Sequence, residues 1–71
     1  MSASLNPDRL REELAVRGLD QRQLAHIAKV SPTTVSAAAN GKPLKPGTLR
    51  KLAAALARTP EIEGLRGLVN G

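Results

Sequence analysis

The sequence predicts an all-α fold in which five short helices form one small domain. The chain contains no Phe, Trp or Tyr, so its core must be built from Leu, Ala, Val and Ile, which suits closely packed short helices. With 71 residues there is room for one core only, and residues 1–71 are expected to form a single domain. Helix starts are marked where a capping residue precedes a proline, at Asn6-Pro7, Ser31-Pro32 and Thr59-Pro60.

The first two helices follow from apolar spacing between such start and stop signals. The first is expected from about residue 7 to residue 17, with Leu10 and Leu14 on one face and Gly18 after its end. The second is expected over about residues 21–28. Asp20 and Gln23 have the spacing of a capping box at its start. Its buried residues should be Leu24, Ala25 and Ala28.

The third and fourth helices are predicted in the same way. The third begins at Pro32 and ends at Asn40-Gly41, two residue types that tolerate a left-handed backbone. The fourth covers about residues 46–57, although Lys45 is a poor cap. Its core face is predicted to consist of Leu49, Leu52, Ala53 and Leu56.

A fifth helix is predicted over about residues 60–69, opened by Thr59-Pro60. One stripe of this helix is apolar, and it comprises Ile62, Leu65, Leu68 and Val69. The stripe is a candidate dimerisation element, and a two-fold dimer would suit binding to a palindromic site. The alternative is that the stripe closes the core of the monomer.

Charge gives the first indication of function. A formal net charge of +5 and a pI near 10.9 fit a protein that binds a polyanion, most often nucleic acid, although surface charge also serves solubility. The absence of cysteine excludes disulfides and thiolate metal sites and fits a reducing compartment. Neither a signal peptide nor a membrane span is recognisable, so we expect a cytoplasmic protein.

Catalysis, metal binding and cofactor binding have no support in the sequence. No nucleophile, base and orienting group form a recognisable set, and no glycine-rich phosphate loop follows a strand. His26 has no second His, Cys or suitably spaced acid near it, so it is expected to be a solvated helix residue. We therefore predict that the protein is not an enzyme and needs neither metal nor cofactor.

The second and third helices, joined by the short turn Lys29-Val30-Ser31, match a helix-turn-helix over about residues 20–41. Ala25 would lie where the two helices cross. The stretch "GLDQRQLAHIAKVSPTTVSAAANGKPLKPGTLRKLAAAL" resembles the helix-turn-helix domain of Cro/C1-type (Xre-like) bacterial and phage repressors. The resemblance implies a compact, five-helix, lambda-repressor-like fold whose third helix, about residues 32–40, enters the DNA major groove.

The resemblance also implies roles for individual residues. Gln21 would anchor the second helix to a phosphate, with Arg22 beside it, and the segment 40–42 would touch the DNA backbone. The positions expected to face base edges are Thr33, Thr34, Ser36 and Ala37. Phosphate contacts are expected from Arg22, Asn40, Lys42 and Lys45, with Lys29, Arg50 and Lys51 as further candidates. Ser31 is first a helix cap and can also reach a phosphate.

Two positions depart from the family pattern. Glycine is usual in the turn where Lys29 stands, so a left-handed lysine is expected there. A long polar residue is common where Ala37 stands, which reduces the means for reading bases directly.

The function predicted from the sequence is a transcriptional regulator, acting as a repressor, that binds specific sites in double-stranded DNA in a bacterium or phage-infected cell. The alternative is a protein-interaction module on the same fold, antitoxin-like or regulator-binding, with little specific DNA readout.

Overall fold

A computed structural model describes residues 3–68 of the chain, and in this part the all-α prediction is confirmed. Five helices are present: α1 (Pro7–Val16), α2 (Gln21–Ala28), α3 (Pro32–Ala39), α4 (Pro46–Arg58) and α5 (Leu65–Leu68). The bounds of α1 to α4 agree with the predicted ones to within a residue. No helix between residues 3 and 68 is both long and apolar enough to cross a membrane.

The predicted N-caps of the first three helices are present. The side chain of Asn6 accepts hydrogen bonds from the N–H groups of Asp8 and Arg9 at the start of α1. At α2 the capping box is complete: the Gln23 N–H donates to the Asp20 carboxylate (2.7 Å), and the Asp20 N–H donates to the Gln23 side chain (2.8 Å). These caps satisfy N–H groups that have no partner inside the helix.

Helices α1, α2 and α3 end in the same way, each with one residue in the left-handed conformation. These residues are Gly18 (φ +66°), Lys29 (φ +59°) and Gly41 (φ +75°). After each, a backbone N–H donates to a carbonyl five residues earlier, as Val30 does to Ala25, which is the Schellman arrangement. The left-handed lysine is thus confirmed. Asn40 is not left-handed (φ −96°), so at the end of α3 only the prediction for Gly41 is correct.

The core lies where α2 packs against α3 and α4, with α1 covering α3. It consists of Leu10, Leu14, Leu24, Ala25, Ala28, Val35, Ala38, Leu44, Leu52 and Ala55. The prediction for Ala53 is wrong, because Ala53 is exposed and Ala55 is fully buried in its place. The face of α4 that meets the core is centred on Leu52 and Ala55, one turn apart.

The predicted start of the fifth helix at residue 60 is also wrong, because α5 begins only at Leu65. Thr59 does not cap a new helix: its hydroxyl donates back to the Ala55 carbonyl (2.9 Å) and closes α4. The chain then runs in a non-helical segment that is tied to α1, where the Ile62 N–H donates to the Val16 carbonyl (2.8 Å). Long-range hydrogen bonds override the local start signal here.

An ion-pair cluster holds the C-terminal segment against α1. The guanidinium of Arg66 lies 2.9 Å from Glu12, 3.0 Å from Glu13 and 2.8 Å from Glu61. Arg17 pairs with Glu13 from the other side at 2.7 Å. The hydrogen bond from Arg17, together with those from Arg66, holds the pKa of the Glu13 carboxyl below its usual value. Through these contacts Glu12, Glu13 and Glu61, which lie on or beside α1, are paired with arginines.

We expect removal of the Arg17 side chain to destabilise the fold, because it links α1 to the end of α4. Its side chain is 12% exposed, and the guanidinium donates to the carbonyls of Leu56, Thr59 and Glu13 as well as to the Glu13 carboxylate. Arg17→Ala leaves those acceptors with fewer donors at the junction of α1 and α4. We expect the free energy of unfolding to fall by about 2–3 kcal/mol, measured by urea denaturation.

Arg17→Lys is the matched control, because it keeps the charge and most of the apolar stem but has no planar fork to reach several carbonyls. It should retain part of the lost stability. If Arg17→Ala unfolds within about 0.5 kcal/mol of the parent, the range of ordinary surface substitutions, the junction does not depend on this side chain.

Candidate nucleic-acid interface

The turn between α2 and α3 has the geometry of a helix-turn-helix corner. Lys29 takes the left-handed conformation (φ 59°, ψ 44°), and the Val30 N–H donates to the Ala25 carbonyl at 3.0 Å. Ala25 is 2% exposed and Val35 is fully buried, so small and β-branched side chains fill the crossing point. A side chain larger than alanine at residue 25 would force the two helices apart.

Helix α3 has a buried face and an accessible face. Val35 and Ala38 are fully buried, and this fixes the rotation of the helix about its axis. On the opposite side of the helix, small side chains recur every three or four residues and so form a continuous stripe. This stripe, called the α3 stripe below, consists of Thr33, Ser36, Ala37 and Asn40, of which Thr33 and Asn40 are exposed and Ser36 and Ala37 half-buried.

The hydroxyls of Ser31 and Thr34 are used inside the protein. The Thr34 N–H donates to the Ser31 hydroxyl oxygen (3.2 Å), and the two hydroxyls lie 2.9 Å apart. Thr33, Ser36 and Asn40, in contrast, make no side-chain hydrogen bond with any residue between 3 and 68. Of the polar groups predicted to meet DNA on α3, those of the α3 stripe are therefore the ones free to bond a ligand.

The start of α2 presents two further predicted residues. Gln21 and Arg22 are both exposed, and within the described residues neither side chain has a hydrogen-bond or ion-pair partner. Asp20, immediately before them, is occupied by the capping box. The first turn of α2 therefore offers an amide and a guanidinium to an incoming group.

The loop from α3 to α4 is held in place at its centre and free at its flanks. Leu44 is buried, and its backbone exchanges two hydrogen bonds with Ala3 (2.7 and 3.0 Å). Lys42 and Lys45 on either side are exposed. Two ammonium groups are thus presented from a fixed backbone next to the end of the α3 stripe.

The first turn of α4 differs from those of α1 to α3, because it has no side-chain cap. The side chain of Lys45 makes no hydrogen bond to the helix start, and no acid lies in the first turn. The guanidinium of Arg50 reaches back to within 4.0 Å of the position a Cβ would take at Gly47. Free N–H groups and nearby cations make this turn attractive to an anion.

Charge is strongly segregated along the chain. Of eleven cations and six acids, seven cations and no acid lie between residues 21 and 58, so this stretch carries +7 and the remainder −2. Its cations are Arg22, Lys29, Lys42, Lys45, Arg50, Lys51 and Arg58, and none forms an ion pair within residues 3–68. The four cations outside the stretch are all paired with acids. The free positive charge therefore belongs to α2, α3, α4 and their loops.

The absence of acids between residues 21 and 58 can be read from the sequence. This stretch also contains Arg58, which is not among the cations predicted to contact phosphates. Arg58 donates to the Ile27 carbonyl (3.3 Å), so it lies beside the end of α2. His26 is exposed, as predicted. Within residues 3–68 no group of three His, Cys, Asp or Glu side chains is placed to hold a metal ion.

The comparisons with known proteins agree with this geometry. A family model described as helix-turn-helix, of the Cro/C1 type, matches residues 10–62, which include α2, α3 and α4. No curated protein and no solved structure matches the chain. The match covers most of the sequence, and the corner at Lys29 lies inside it. The chain is therefore a member of the Cro/C1-type helix-turn-helix family, a family of DNA-binding regulatory domains that are not typically enzymatic.

Proposed function

We propose that this protein is a repressor in the bacterial cytoplasm that binds a specific site in duplex DNA by placing α3 in the major groove. The observation that carries the proposal is the combination of the α3 stripe with the +7 stretch around it. A polyanion is attracted to that side of the molecule, while the small groups of the stripe allow the helix backbone to come close to base edges. A repressor would act by occupying its site.

Base readout is assigned to Thr33, Ser36 and Ala37 of the α3 stripe and to their neighbour Thr34. The hydroxyls of Thr33 and Ser36 can donate to or accept from base edges, and the methyl of Ala37 can contact a thymine methyl. Thr34 contributes its methyl, because its hydroxyl already bonds Ser31. A readout of this kind depends on close fit more than on long side chains.

Phosphate contacts are assigned to the residues that surround the stripe. Gln21 and Arg22 would hold one strand at the start of α2, and Lys42 and Lys45 would hold the backbone near the α4 start. Ser31 and Asn40, at the two ends of α3, complete the set. Because phosphates are the same at every base pair, these residues supply affinity and orientation rather than specificity.

Dimerisation is proposed through the C-terminal segment. Ile62 is 51% exposed and Leu68 is 78% exposed, with Leu65 half-buried between them; Val69 lies outside the described residues. Part of Ile62 covers Gly18, where its Cδ1 lies 3.0 Å from the position that a Cβ would take, so the monomer uses only a portion of the apolar surface. A two-fold dimer would place two copies of α3 roughly 34 Å apart, one DNA turn.

The test is selection of bound duplexes from a random pool, followed by sedimentation of the protein alone and on the selected site. We expect an enriched palindrome and a complex of two protein chains per duplex. Leu68→Glu should weaken pairing and reduce binding to the palindrome, whereas Ala15→Glu, which adds the same charge at an exposed position of α1, should not. Failure to enrich any sequence would reject specific readout, and one chain per palindromic duplex would reject the dimer.

A further inference from the structure

The outer face of α2 carries an apolar depression that DNA binding by α3 does not require. It has a volume of about 310 Å³ and is open to solvent. Its lining consists of Leu19, Arg22, Gln23, His26 and Ile27. Leu19 and Ile27 are each half-buried, so they form the floor and still expose carbon atoms.

The rim of the depression is basic. Arg22 and His26 lie one helical turn apart on α2, the cation Lys29 follows directly after the helix, and all three are exposed. Near the far end, Arg58 reaches from α4 to the Ile27 carbonyl (3.3 Å). The nearest acid along the chain, Asp20, is engaged in the capping box. Cationic groups therefore border an apolar floor.

We propose that this surface binds an acidic amphipathic helix of another protein. Charge complementarity favours carboxylates at the rim, and the floor favours one or two aliphatic side chains. Gln23 and Ile27 are one helical turn apart, about 6 Å along the axis, which matches the spacing of side chains at i and i+4 on a partner helix. The depression is too open to enclose a small molecule, for which deeper pockets of at least this size are usual.

A partner bound to this surface would interfere with DNA binding, because Arg22 lines the depression and is also a proposed phosphate contact. This consequence rests on the proposed role of Arg22 as a phosphate contact. A carboxylate paired with Arg22 removes one cation from the DNA side and brings negative charge next to the phosphates. An acidic partner would thus release the protein from its site.

The test uses two synthetic helical peptides and needs no DNA in its first arm. One peptide has two leucines four residues apart flanked by glutamates, and the other has glutamines in place of the glutamates. Backbone amide resonances of the ¹⁵N-labelled protein are followed during titration to about 1 mM peptide, where a weak complex of Kd near 1 mM is half formed. We expect shifts that grow with peptide concentration at Leu19, Gln23 and Ile27, and at least tenfold weaker binding of the glutamine peptide.

Two variants, each of which adds one negative charge, test where on the protein the peptide binds. His26→Glu adds a negative charge at the rim and should weaken binding of the glutamate peptide at least tenfold. Ala15→Glu adds the same charge on α1, away from the depression, and should bind as the parent does. The proposal is overturned if the glutamate peptide leaves the α2 resonances unmoved, or if it binds His26→Glu as tightly as the parent.

A second arm adds duplex DNA. We expect the glutamate peptide to displace DNA from the parent protein but not from His26→Glu at the same peptide concentration. If the peptide binds at α2 while DNA does not bind at all, the docking surface stands and the proposed DNA function fails. If DNA binds but the peptide does not, the proposed DNA function stands and the docking surface is rejected.

Discussion

Raising the salt concentration from about 50 to about 200 mM is expected to weaken binding to duplex DNA strongly. The logarithm of the binding constant falls with the logarithm of salt by about 0.9 for each phosphate neutralised. If only Arg22, Lys42 and Lys45 contact phosphates, the fourfold change in salt should cost ~40-fold in affinity; if Lys29, Arg50 and Lys51 also do, it should cost ~2,000-fold. Fluorescence anisotropy of a labelled random duplex measures the slope.

Two substitutions that remove one positive charge each provide the internal control. Lys42 is exposed and has no ion-pair partner within residues 3–68, whereas Arg11 lies 2.6 Å from Asp8. Lys42→Gln should reduce the salt slope by about 0.9, and Arg11→Gln should leave it unchanged. A slope near zero for the parent would contradict phosphate binding, and an equal loss of slope in both variants would mean that net charge, not contact, controls affinity.

The local features of the fold were predictable because they depend on neighbouring residues. The capping box of Asp20 and Gln23 involves residues three apart, and the start of α2 follows from it. The left-handed Lys29 is expected from the family pattern, in which glycine is usual at this position of the turn. In each case the groups that interact lie within two turns of helix of one another along the chain.

The features that could not be predicted depend on contacts between distant parts of the chain. Thr59-Pro60 has the same form as Ser31-Pro32, yet it does not start a helix, because Arg17 and the Val16 carbonyl hold the segment that follows α4. Likewise, the choice of Ala55 over Ala53 for the core depends on the direction from which α2 approaches α4.

The same argument applies to the candidate interface. The α3 stripe follows from helical spacing, once Val35 and Ala38 are assigned to the core. The free cations follow from the sequence, because no acid lies between residues 21 and 58, whereas the pairing of Arg66 with Glu12 and Glu13, more than fifty residues away, does not. That cluster pairs acids near α1 with Arg66 and involves none of the cations between residues 21 and 58.

Ala37→Leu is expected to abolish specific binding while leaving the protein folded. Ala37 is half-buried and lies outside the core set around Val35 and Ala38, so added carbons would extend from the stripe and not into the core. If α3 lies deep in the groove, they meet base edges and hold the helix away. Affinity for the selected site should then fall toward the non-specific level, ~10³-fold or more.

The measurement is competition between the selected duplex and random duplex, with helicity followed by circular dichroism. Ala15→Leu makes the same substitution at an exposed position of α1 and should bind as the parent does. Thr33→Val keeps shape but removes a hydroxyl, so it should lose about 1–3 kcal/mol at one base pair. If folded Ala37→Leu keeps its full specific affinity, α3 does not read the groove, and the protein-interaction function becomes the better explanation of this surface.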